Sequence, residues 1–435
     1  MAVVLAMYRE IATPLGDHGD FGWEYGWIAR SLVLGHGFSG PYQPLSGPTA
    51  LMPPVYTFLL AGVFRVFGLY TSASALVVLS LNALFSTLTC VPLYFCMRRI
   101  LGDRVGALTA WAWAIYPYSV YFSAGRVWDY ALTACLFATC LLVAQRLHLT
   151  ERWMAWVGFG LLYGVTVLSN PSIATMLPVL LLIALWRVWL DGGPWLRNGI
   201  LAAAAFACVL TPWALRNERV LHIAAPMRDG FWLEAYAGNH GNTFTSNPSE
   251  SHPASDALEM NRYLAEGEVR YMAEKKALTL RWIGQHPLAF AGVSLHRVVR
   301  FWTGYWSLSS AYLAQEPLDT PDIFFCTAVT VLMALGLRRW WRADRWSVLP
   351  YAVALAIFPL PYYVTHASPD YREPLEPVVV ALATVGAFGL RLHEDDRDAT
   401  PEDLDILEGD DSGSERLFSS ANLLLDEDEG FAPQR

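Results

Sequence analysis

Four ionisable side chains in this 435-residue sequence stand next to long apolar segments: Glu24, Asp129, Arg216 and Arg372. Ionisable residues at or near membrane depth are energetically costly and are therefore candidates for function. A carboxylate can accept the proton of an attacking hydroxyl group. Arginine side chains bind phosphate oxygens through two parallel hydrogen bonds and stay charged. Two carboxylates and two guanidinium groups together predict the transfer of a group away from a phosphate.

Each of these residues also has a purely structural interpretation. Glu24 could stand at the N-terminus of a helix, where the helix dipole favours a negative charge, and Asp129 could cap the next helix. Arg216 and Arg372 could extend their charged ends towards lipid headgroups from the membrane interface. Spacing does not separate these alternatives. The functional interpretation depends on all four residues lying on one side of the membrane.

Apolar segments of near-membrane length define the fold class. The chain is 54% hydrophobic and 16% charged, whereas about 25% of the residues of an average globular protein are charged. A bilayer is spanned by about 20 apolar residues. The segments that approach this length are residues 74–97, 105–120, 130–144, 155–168, 173–186, 199–213, 323–337, 348–364 and 377–390. The sequence therefore predicts an all-α protein, a polytopic membrane bundle with about nine spanning helices.

The arginines between these segments predict which way the helices run, because cytoplasmic loops carry an excess of Lys and Arg. They fall in alternate loops: Arg98, Arg99, Arg104, Arg146, Arg152, Arg187, Arg197, Arg338, Arg339, Arg342 and Arg345. The loops that carry Glu24, Asp129, Arg216 and Arg372 are then external. From residue 394 onward the chain has a net charge of −12, and the rest of it carries +3. Residues 392–435 are predicted to be an acidic, disordered cytoplasmic tail.

Residues 1–391 are predicted to form one membrane-embedded module with two long external loops. Its parts are the end of a first span (residues 1–7), the first external loop (8–72), six spans (73–215), the large external loop (216–320) and the last three spans (321–391). Within the loops, residues 53–68 and 286–302 are expected to form helices that lie in the membrane interface. The alternative for the second is a span whose Arg297 and Arg300 face the bundle.

Several short motifs follow one another in a specific order, although each is loose alone. They are Glu24-Tyr-Gly-Trp-Ile-Ala-Arg-Ser-Leu32, Gly35-His-Gly-Phe38, Pro53-Pro-Val-Tyr56, Phe67-Gly68, Trp128-Asp-Tyr-Ala-Leu132, Ser169-Asn-Pro171, Pro212-Trp-Ala-Leu-Arg-Asn217, Gly238-Asn239 and Tyr371-Arg-Glu-Pro-Leu-Glu-Pro377. In this order they resemble the GT-C superfamily of integral-membrane glycosyltransferases. The similarity is to the bacterial branch akin to protein O-mannosyltransferases and the aminoarabinose transferase of lipid A, and it covers nearly all of the chain except the tail.

The resemblance implies a sugar donor carried on polyprenyl phosphate, an acceptor glycan, lipid or protein that enters from the periplasmic side of the inner membrane, and inversion at the anomeric carbon. It implies that Glu24 is the catalytic acid of the first external loop. Asp17 and Asp20 are rivals, since many relatives have Asp where this chain has Phe21. Asp129 matches an assisting second acid. Tyr371 and Arg372 match the region where relatives hold the lipid phosphate.

Further substrate-binding residues are expected in the external loops. Asn217 lies next to Arg216, and His366 lies five residues before Tyr371. Residues 228–242 offer the aromatic rings, amides and carboxylate that sugar recognition demands, and Glu234 and Asn239 are the candidates there. Loops of this composition are also common in turns that bind nothing. A divalent cation held by Asp129 and donor oxygens is the cofactor to consider, and no sequence signal decides whether one binds. Membrane lipids are expected partners, and nucleic acid is not.

Two rival functions are weaker. A transporter or flippase of lipid-linked sugars is expected to show internal repeats with interrupted helices near the midplane, whereas the sequence shows no repeat and its acids cluster at the surface. A non-catalytic assembly subunit would use the external loops for binding alone. The sequence favours a membrane glycosyltransferase and does not identify the sugar or the acceptor.

Overall fold

The structure is a computed structural model, and it describes residues 2–11, 21–241, 251–315 and 319–389. The tail predicted at residues 392–435, together with Asp17 and Asp20, lies outside the described residues. Within them the regular structure is helical, and the only β-type pairing is an isolated bridge between Ser39 and Pro48. The prediction of an all-α fold is confirmed.

The helices of the N-terminal half are α1 (Ala2–Ile11), α2 (Glu24–Val33), α3 (Pro54–Phe67), α4 (Ser72–Leu101), α5 (Asp103–Ala114), α6 (Pro117–Gly125), α7 (Tyr130–Arg146), α8 (Trp153–Ser169), α9 (Leu177–Leu190) and α10 (Trp195–Leu221). Those of the C-terminal half are α11 (Phe231–Gly238), α12 (Ala257–Glu266), α13 (Glu268–Gln285), α14 (Pro287–Thr303), α15 (Ser310–Gln315), α16 (Asp319–Ala343), α17 (Arg345–Ile357), α18 (Leu360–Val364) and α19 (Glu376–Phe388). Short 3₁₀ segments at Pro171–Met176 and Pro369–Leu375 precede α9 and α19.

Six helical stretches of the described chain are long and apolar enough to cross a membrane, as an integral membrane protein requires. They are Ser72–Leu101, Tyr130–Leu149, Pro171–Leu190, Trp195–Leu221, Thr320–Ala343 and Arg345–Val364. The other three predicted spans form shorter helices. Pro117 starts a new helix and so divides the segment at residues 105–120 into α5 and α6. The remaining two are α8 and α19, of 17 and 13 residues.

Glycines set the closest helix contacts in the bundle. A side chain at Gly336 of α16 would overlap the backbone of Leu382 in α19, and one at Gly386 of α19 would overlap the backbone of Leu332. In the same way Gly160 of α8 faces the backbone of α10. Small residues allow such close approach between apolar helices that share no hydrophobic driving force in lipid. These contacts hold α19 and α8 against longer neighbours.

Local sequence signals explain where the long helices begin. The Thr71 side chain accepts a hydrogen bond from the backbone N–H of Ser74 at 3.1 Å and so caps α4. The Asp344 carboxylate accepts from the N–H of Trp346 at 2.9 Å and caps α17. Asp129 directly precedes α7. One end of α7 therefore carries an acid, while its other end carries Arg146.

The segment predicted to be the large external loop (216–320) is mostly helical where the structure describes it, and the sequence predicted only its helix at residues 286–302. The helix α13 begins at Glu268, whose carboxylate accepts a hydrogen bond from the backbone N–H of Ala50 at 2.6 Å and another from the Tyr263 hydroxyl at 2.9 Å. Burial raises the pKa of Glu268 to about 7. Because Ala50 belongs to the first external loop, this contact joins the two loops.

The two segments expected to lie in the membrane interface both form helices. The first is α3, which begins at Pro54 and buries Tyr56, Leu60 and Phe64. The second is α14, whose Arg297 is 1% exposed and donates hydrogen bonds to the side-chain oxygen of Asn239 at 3.2 Å and to the carbonyl of Val364 at 2.9 Å. The inward position of Arg297 agrees with the alternative for this segment. With 17 residues, α14 is shorter than the six span-length stretches.

Candidate functional site

A cavity of about 620 Å³ lies where α2 and α7 begin and where the external loops close over them. Cavities that bind small molecules usually have volumes of about 300–1,000 Å³. Its titratable lining residues include Glu24, Asp129, Arg228, Glu234, His252, His366 and Asp370. Its aromatic lining residues include Trp23, Tyr25, Trp128, Tyr130, Tyr362 and Tyr371. Charged groups next to flat aromatic rings are suited to a ligand that is part sugar and part anion.

Asp129 is fixed in the cavity wall by three hydrogen bonds. Its carboxylate accepts from the hydroxyl of Tyr25 at 3.2 Å, from the hydroxyl of Thr133 at 2.9 Å and from the side-chain amide of Asn170 at 3.0 Å. Asp129 is 1% exposed. Burial raises its pKa, and the three hydrogen bonds act in the opposite direction. The carboxylate is therefore held in one orientation.

Glu24 is the first residue of α2 and lines the same cavity. It directly precedes Tyr25 in the chain. The preceding residue, Trp23, has φ 46°, a backbone conformation that is uncommon for residues other than glycine. The Oε1 atom of Glu24 lies 3.7 Å from Nε2 of His252. Burial raises the pKa of Glu24, and His252 acts in the opposite direction. A buried carboxyl with a raised pKa is suited to exchange a proton with a substrate.

A third set of charged residues lies in the segments predicted to be external. Nη2 of Arg228 lies 3.2 Å from Oε1 of Glu234, and Nδ1 of His366 lies 3.5 Å from Oε2 of the same carboxylate. Burial alone would raise the pKa of Glu234, but His366 and Arg228 outweigh it, and the pKa is lowered. The Glu234 carboxylate therefore lies between a guanidinium and an imidazole.

Aromatic side chains continue from this set along the cavity wall. The ring of Tyr371 stacks on Tyr362 with centroids 5.3 Å apart, and its hydroxyl lies 2.7 Å from Nε2 of His366. The Tyr362 hydroxyl lies 2.8 Å from that of Ser172, and the Tyr130 hydroxyl donates to Asp370 at 2.8 Å. Stacked rings with hydroxyls tied to polar partners form a rigid surface on which a sugar can pack.

The structure brings five of the predicted site residues into this cavity: Glu24, Asp129, Glu234, His366 and Tyr371. It does not bring Arg216 or Asn217 there. The Arg216 guanidinium donates to the carbonyl oxygens of Thr49 at 2.6 Å and Phe38 at 2.7 Å, and the Asn217 amide donates to the carbonyl of Ala225 at 2.8 Å. The Arg216 contacts anchor the loop of residues 34–53 on α10, and the Asn217 contact fixes the chain that follows α10. Both are structural roles.

Asn239 and Arg372 are also absent from the cavity lining. Asn239 receives the hydrogen bond from Arg297 and donates to the carbonyl of Val364 at 2.8 Å. The Arg372 side chain is fully buried and forms an ion pair with Glu376. It also donates to the carbonyl of Trp302 at 3.1 Å. Both residues hold helices together behind the cavity.

Replacing Arg372 with glutamine is expected to destabilise the fold by about 3–5 kcal/mol, because Glu376 would remain as a buried charge without its partner. The midpoint of thermal unfolding in detergent measures this effect. Arg342, an exposed arginine of α16, provides the control, and R342Q should leave the midpoint unchanged. The double variant R372M/E376L should recover much of the loss. An R372Q protein as stable as the wild type would contradict the structural role.

Sequence reasoning missed Arg228, His252 and Tyr362 as site residues. Arg228 stands six residues before Glu234, in a stretch already considered for sugar recognition. The possibility of an ion pair between these two residues is the signal that could have indicated Arg228. His252 and Tyr362 have no comparable signal. They reach the cavity because distant loops and α18 close over it.

The described residues contain no group of three or more His, Cys, Asp or Glu side chains that could hold a metal ion. A magnesium ion bound mainly through donor phosphate oxygens needs only one or two protein carboxylates. Carboxylates of this type in the cavity lining are those of Glu24, Asp129, Glu234 and Asp370. Such an ion would neutralise charge on a phosphate.

Residues 52–213 match the family described as dolichyl-phosphate-mannose-protein mannosyltransferase. This is the branch to which the sequence motifs pointed. The predicted resemblance to GT-C membrane glycosyltransferases is confirmed. The matched residues run from the start of α3 to the middle of α10, and they include Asp129 and Asn170 of the cavity.

Solved structures with similar chains are of low identity. One is an oligosaccharyltransferase from Archaeoglobus fulgidus in complex with zinc and sulfate (13% identity, 88% of this chain and 48% of that chain, TM-score 0.46). Another is the archaeal oligosaccharyltransferase AglB from Archaeoglobus fulgidus in complex with an inhibitory peptide and a dolichol-phosphate (17% identity, 88% of this chain and 49% of that chain, TM-score 0.45). A third is ArnT from Cupriavidus metallidurans bound to undecaprenyl phosphate (15% identity, 89% of this chain and 76% of that chain, TM-score 0.37).

The chain spans about half the length of the oligosaccharyltransferase structures that it matches. A comparison with curated protein sequences gives no match.

Proposed function

We propose that the protein is a membrane glycosyltransferase that moves a sugar from a polyprenyl-phosphate donor to an acceptor bound in the cavity, with inversion at the anomeric carbon. The observation that carries the proposal is the cavity itself, in which Glu24 and Asp129 lie together with the guanidinium of Arg228. The donor class follows the matching family, whose description names mannose on dolichyl phosphate.

The reaction requires a base for the acceptor, and Glu24 is suited to this role. The acceptor hydroxyl oxygen forms a bond to the anomeric carbon while the bond between that carbon and the phosphate oxygen breaks. The hydroxyl proton passes to Glu24, and the electron pair leaves with the lipid phosphate. A single displacement from the side opposite the phosphate inverts the anomeric configuration. General-base catalysis of this kind contributes about 10²- to 10⁴-fold to a rate.

Asp129 is better suited to orientation than to proton transfer. Its three hydrogen bonds occupy most of its lone pairs, since a carboxylate offers about four acceptor sites. The remaining site on Oδ1 can accept a hydrogen bond from a sugar or acceptor hydroxyl. A rigid acceptor in the cavity wall fixes the reacting groups at attack distance.

Arg228 takes the role that the sequence gave to Arg372 and Arg216, because it lines the cavity and lies close enough to Glu24 to act on it electrostatically. Arg126 also lines the cavity, but it is exposed. The departing phosphate gains negative charge as the glycosidic bond breaks. A preorganised guanidinium in a partly water-excluded site stabilises that charge more strongly than water would. Its ion pair with Glu234 holds the guanidinium in place.

We further propose that the cavity faces the periplasm and that the acceptor enters from there. The support is the distribution of arginines: Arg99, Arg146 and Arg187 lie at the ends of α4, α7 and α9, whereas Asp129 stands at the beginning of α7. Because cytoplasmic loops are rich in arginine, the cavity end of the bundle is the external end.

The function is tested with the full chain in proteoliposomes, supplied with undecaprenyl phosphates that each carry one radiolabelled hexose or pentose. Membrane lipids, protein and glycan of the producing cell serve as acceptors. We expect label to become covalently attached to one acceptor class while undecaprenyl phosphate is released, with inverted anomeric configuration by NMR. Movement of the intact donor across the bilayer without bond cleavage would overturn the proposal and support a transporter instead.

A further inference from the structure

A second polar pocket lies at the other end of the helices that build the cavity. It is lined by the last turn of α4, the end of α7 with the short turn after it, the end of α9 and the first turns of α17. Arg99, Gln145, His148, Arg187 and Ser347 supply its polar lining. The 17 residues of α7 separate the two sites by about 25 Å at 1.5 Å per residue.

Positive charge is concentrated at this pocket. Arg146 and Arg187 lie close enough to repel Arg99 electrostatically, and Arg99 and Arg187 act in the same way on His148. Asp191 is the acid that acts on His148. Among the described residues, no carboxylate lies within 4.0 Å of the guanidinium of Arg99, Arg146 or Arg187. Clustered cations without an acidic partner favour the binding of an anion.

Buried hydrogen-bonding groups at the pocket also lack partners. Nδ1 of His148 is buried without a hydrogen-bond partner, and so is the side-chain oxygen of Gln145. The amide nitrogen of Gln145 is already used, since it donates to the Tyr351 hydroxyl at 2.9 Å. An unsatisfied buried polar group costs about 1–3 kcal/mol. A ligand that offers an oxygen acceptor and a hydroxyl donor would satisfy both groups.

The pocket volume fits a small oxyanion group. It is about 60 Å³, and one water requires about 10–15 Å³ of such volume, so roughly four waters fit. The four oxygens of a phosphate occupy a comparable space. Guanidinium groups bind phosphate through paired hydrogen bonds, and those of Arg99 and Arg187 line this pocket.

The surroundings of the pocket indicate that the phosphate belongs to a lipid. Ile100, Leu141 and Leu180 line it on the apolar side. At its edge the rings of Trp186 and Trp346 lie 4.9 Å apart, and both are partly exposed. Tryptophan is enriched where a membrane protein meets the headgroup layer, and basic pockets between spanning helices bind anionic headgroups.

We infer that this pocket binds the headgroup of an anionic phospholipid, with its phosphate between Arg99 and Arg187 and a headgroup hydroxyl near Gln145. Phosphatidylglycerol has both the phosphate and the hydroxyl groups that these residues require. The site is separate from the proposed transfer cavity, and its occupation does not depend on the proposed reaction.

The test is native mass spectrometry of the full chain in detergent with phosphatidylglycerol as the probe. The double variant R99Q/R187Q is expected to reduce bound phosphatidylglycerol at least 10-fold. The charge-matched control R338Q/R342Q removes two exposed arginines of α16 and should leave binding unchanged. Phosphatidylcholine, which has no net charge, should bind weakly to all proteins. Unfolding midpoints of the three proteins identify any loss due to misfolding, and R187K gives a second, milder substitution expected to weaken binding.

Equal loss in both double variants would show non-specific attraction and overturn the inference, as would full binding by R99Q/R187Q. Inorganic phosphate distinguishes the two sources of the anion. Displacement of the lipid only at high phosphate concentration supports a lipid site. Tight phosphate binding without phosphatidylglycerol binding would assign the pocket to a soluble anion and overturn the lipid assignment.

Discussion

Replacing Glu24 with glutamine is expected to lower the rate of sugar transfer about 10³-fold, the middle of the range for loss of a general base. Glutamine has the same shape and removes only the ability to accept the proton. The buried position next to Tyr25 is kept, so the fold should remain. Single-turnover transfer in proteoliposomes measures the chemical step directly when the donor concentration is well above its dissociation constant.

The rival acids of the first external loop provide the matched controls. D17N and D20N change residues outside the described part of the chain, and each should leave the rate within a few-fold of wild type. E218Q, which changes an exposed glutamate at the end of α10, controls for the loss of an acid elsewhere. Wild-type transfer by E24Q, or a 10³-fold loss in D17N or D20N, would contradict the assignment of the base.

The pH dependence of the same assay gives a second readout for Glu24. A base must be deprotonated, so the rate falls as the pH drops through its pKa. Burial raises the pKa of Glu24, and this fall should therefore begin at a higher pH than for an exposed carboxylate. The small residual rate of E24Q should lack this dependence.

The fold class was predictable because a membrane restricts the choice of structure. Backbone polar groups must be satisfied inside each spanning segment, so long apolar segments indicate helices with little ambiguity. Lengths were less predictable. Pro117 ends one predicted span early and starts a new helix, α6. A count of apolar segments does not include such local breaks.

Part of the cavity lining was predictable from residue type and position in the chain. Glu24 and Asp129 lie at helix starts that the sequence placed on one face, and both line the cavity. The arginines were harder, because a long side chain can reach many partners. Arg216 binds the carbonyl of Thr49, 167 residues earlier in the chain, and Arg372 pairs with Glu376 one turn away. Only coordinates show that Arg228 points into the cavity instead.

The second large effect is expected for Arg228. Replacing it with glutamine should weaken the binding of undecaprenyl phosphate about 10- to 100-fold, since hydrogen bonds to a charged group contribute about 1.5–3 kcal/mol. Gly230 leaves the space that this guanidinium occupies, because a Cβ there would lie 2.5 Å from its Nη2. Binding of undecaprenyl phosphate to the detergent-solubilised protein, followed by native mass spectrometry, measures the effect without requiring turnover.

Two further variants separate phosphate binding from the ion pair with Glu234. E234Q removes the partner and leaves the guanidinium, so phosphate binding should persist if Arg228 contacts the phosphate. R228K keeps the charge but loses the planar fork, and binding should fall between wild type and R228Q. Arg219 is an exposed arginine of α10, and the R219Q variant should bind undecaprenyl phosphate as the wild type does. If E234Q and R228Q lose affinity equally, Arg228 acts only through Glu234, and the phosphate is held by another group.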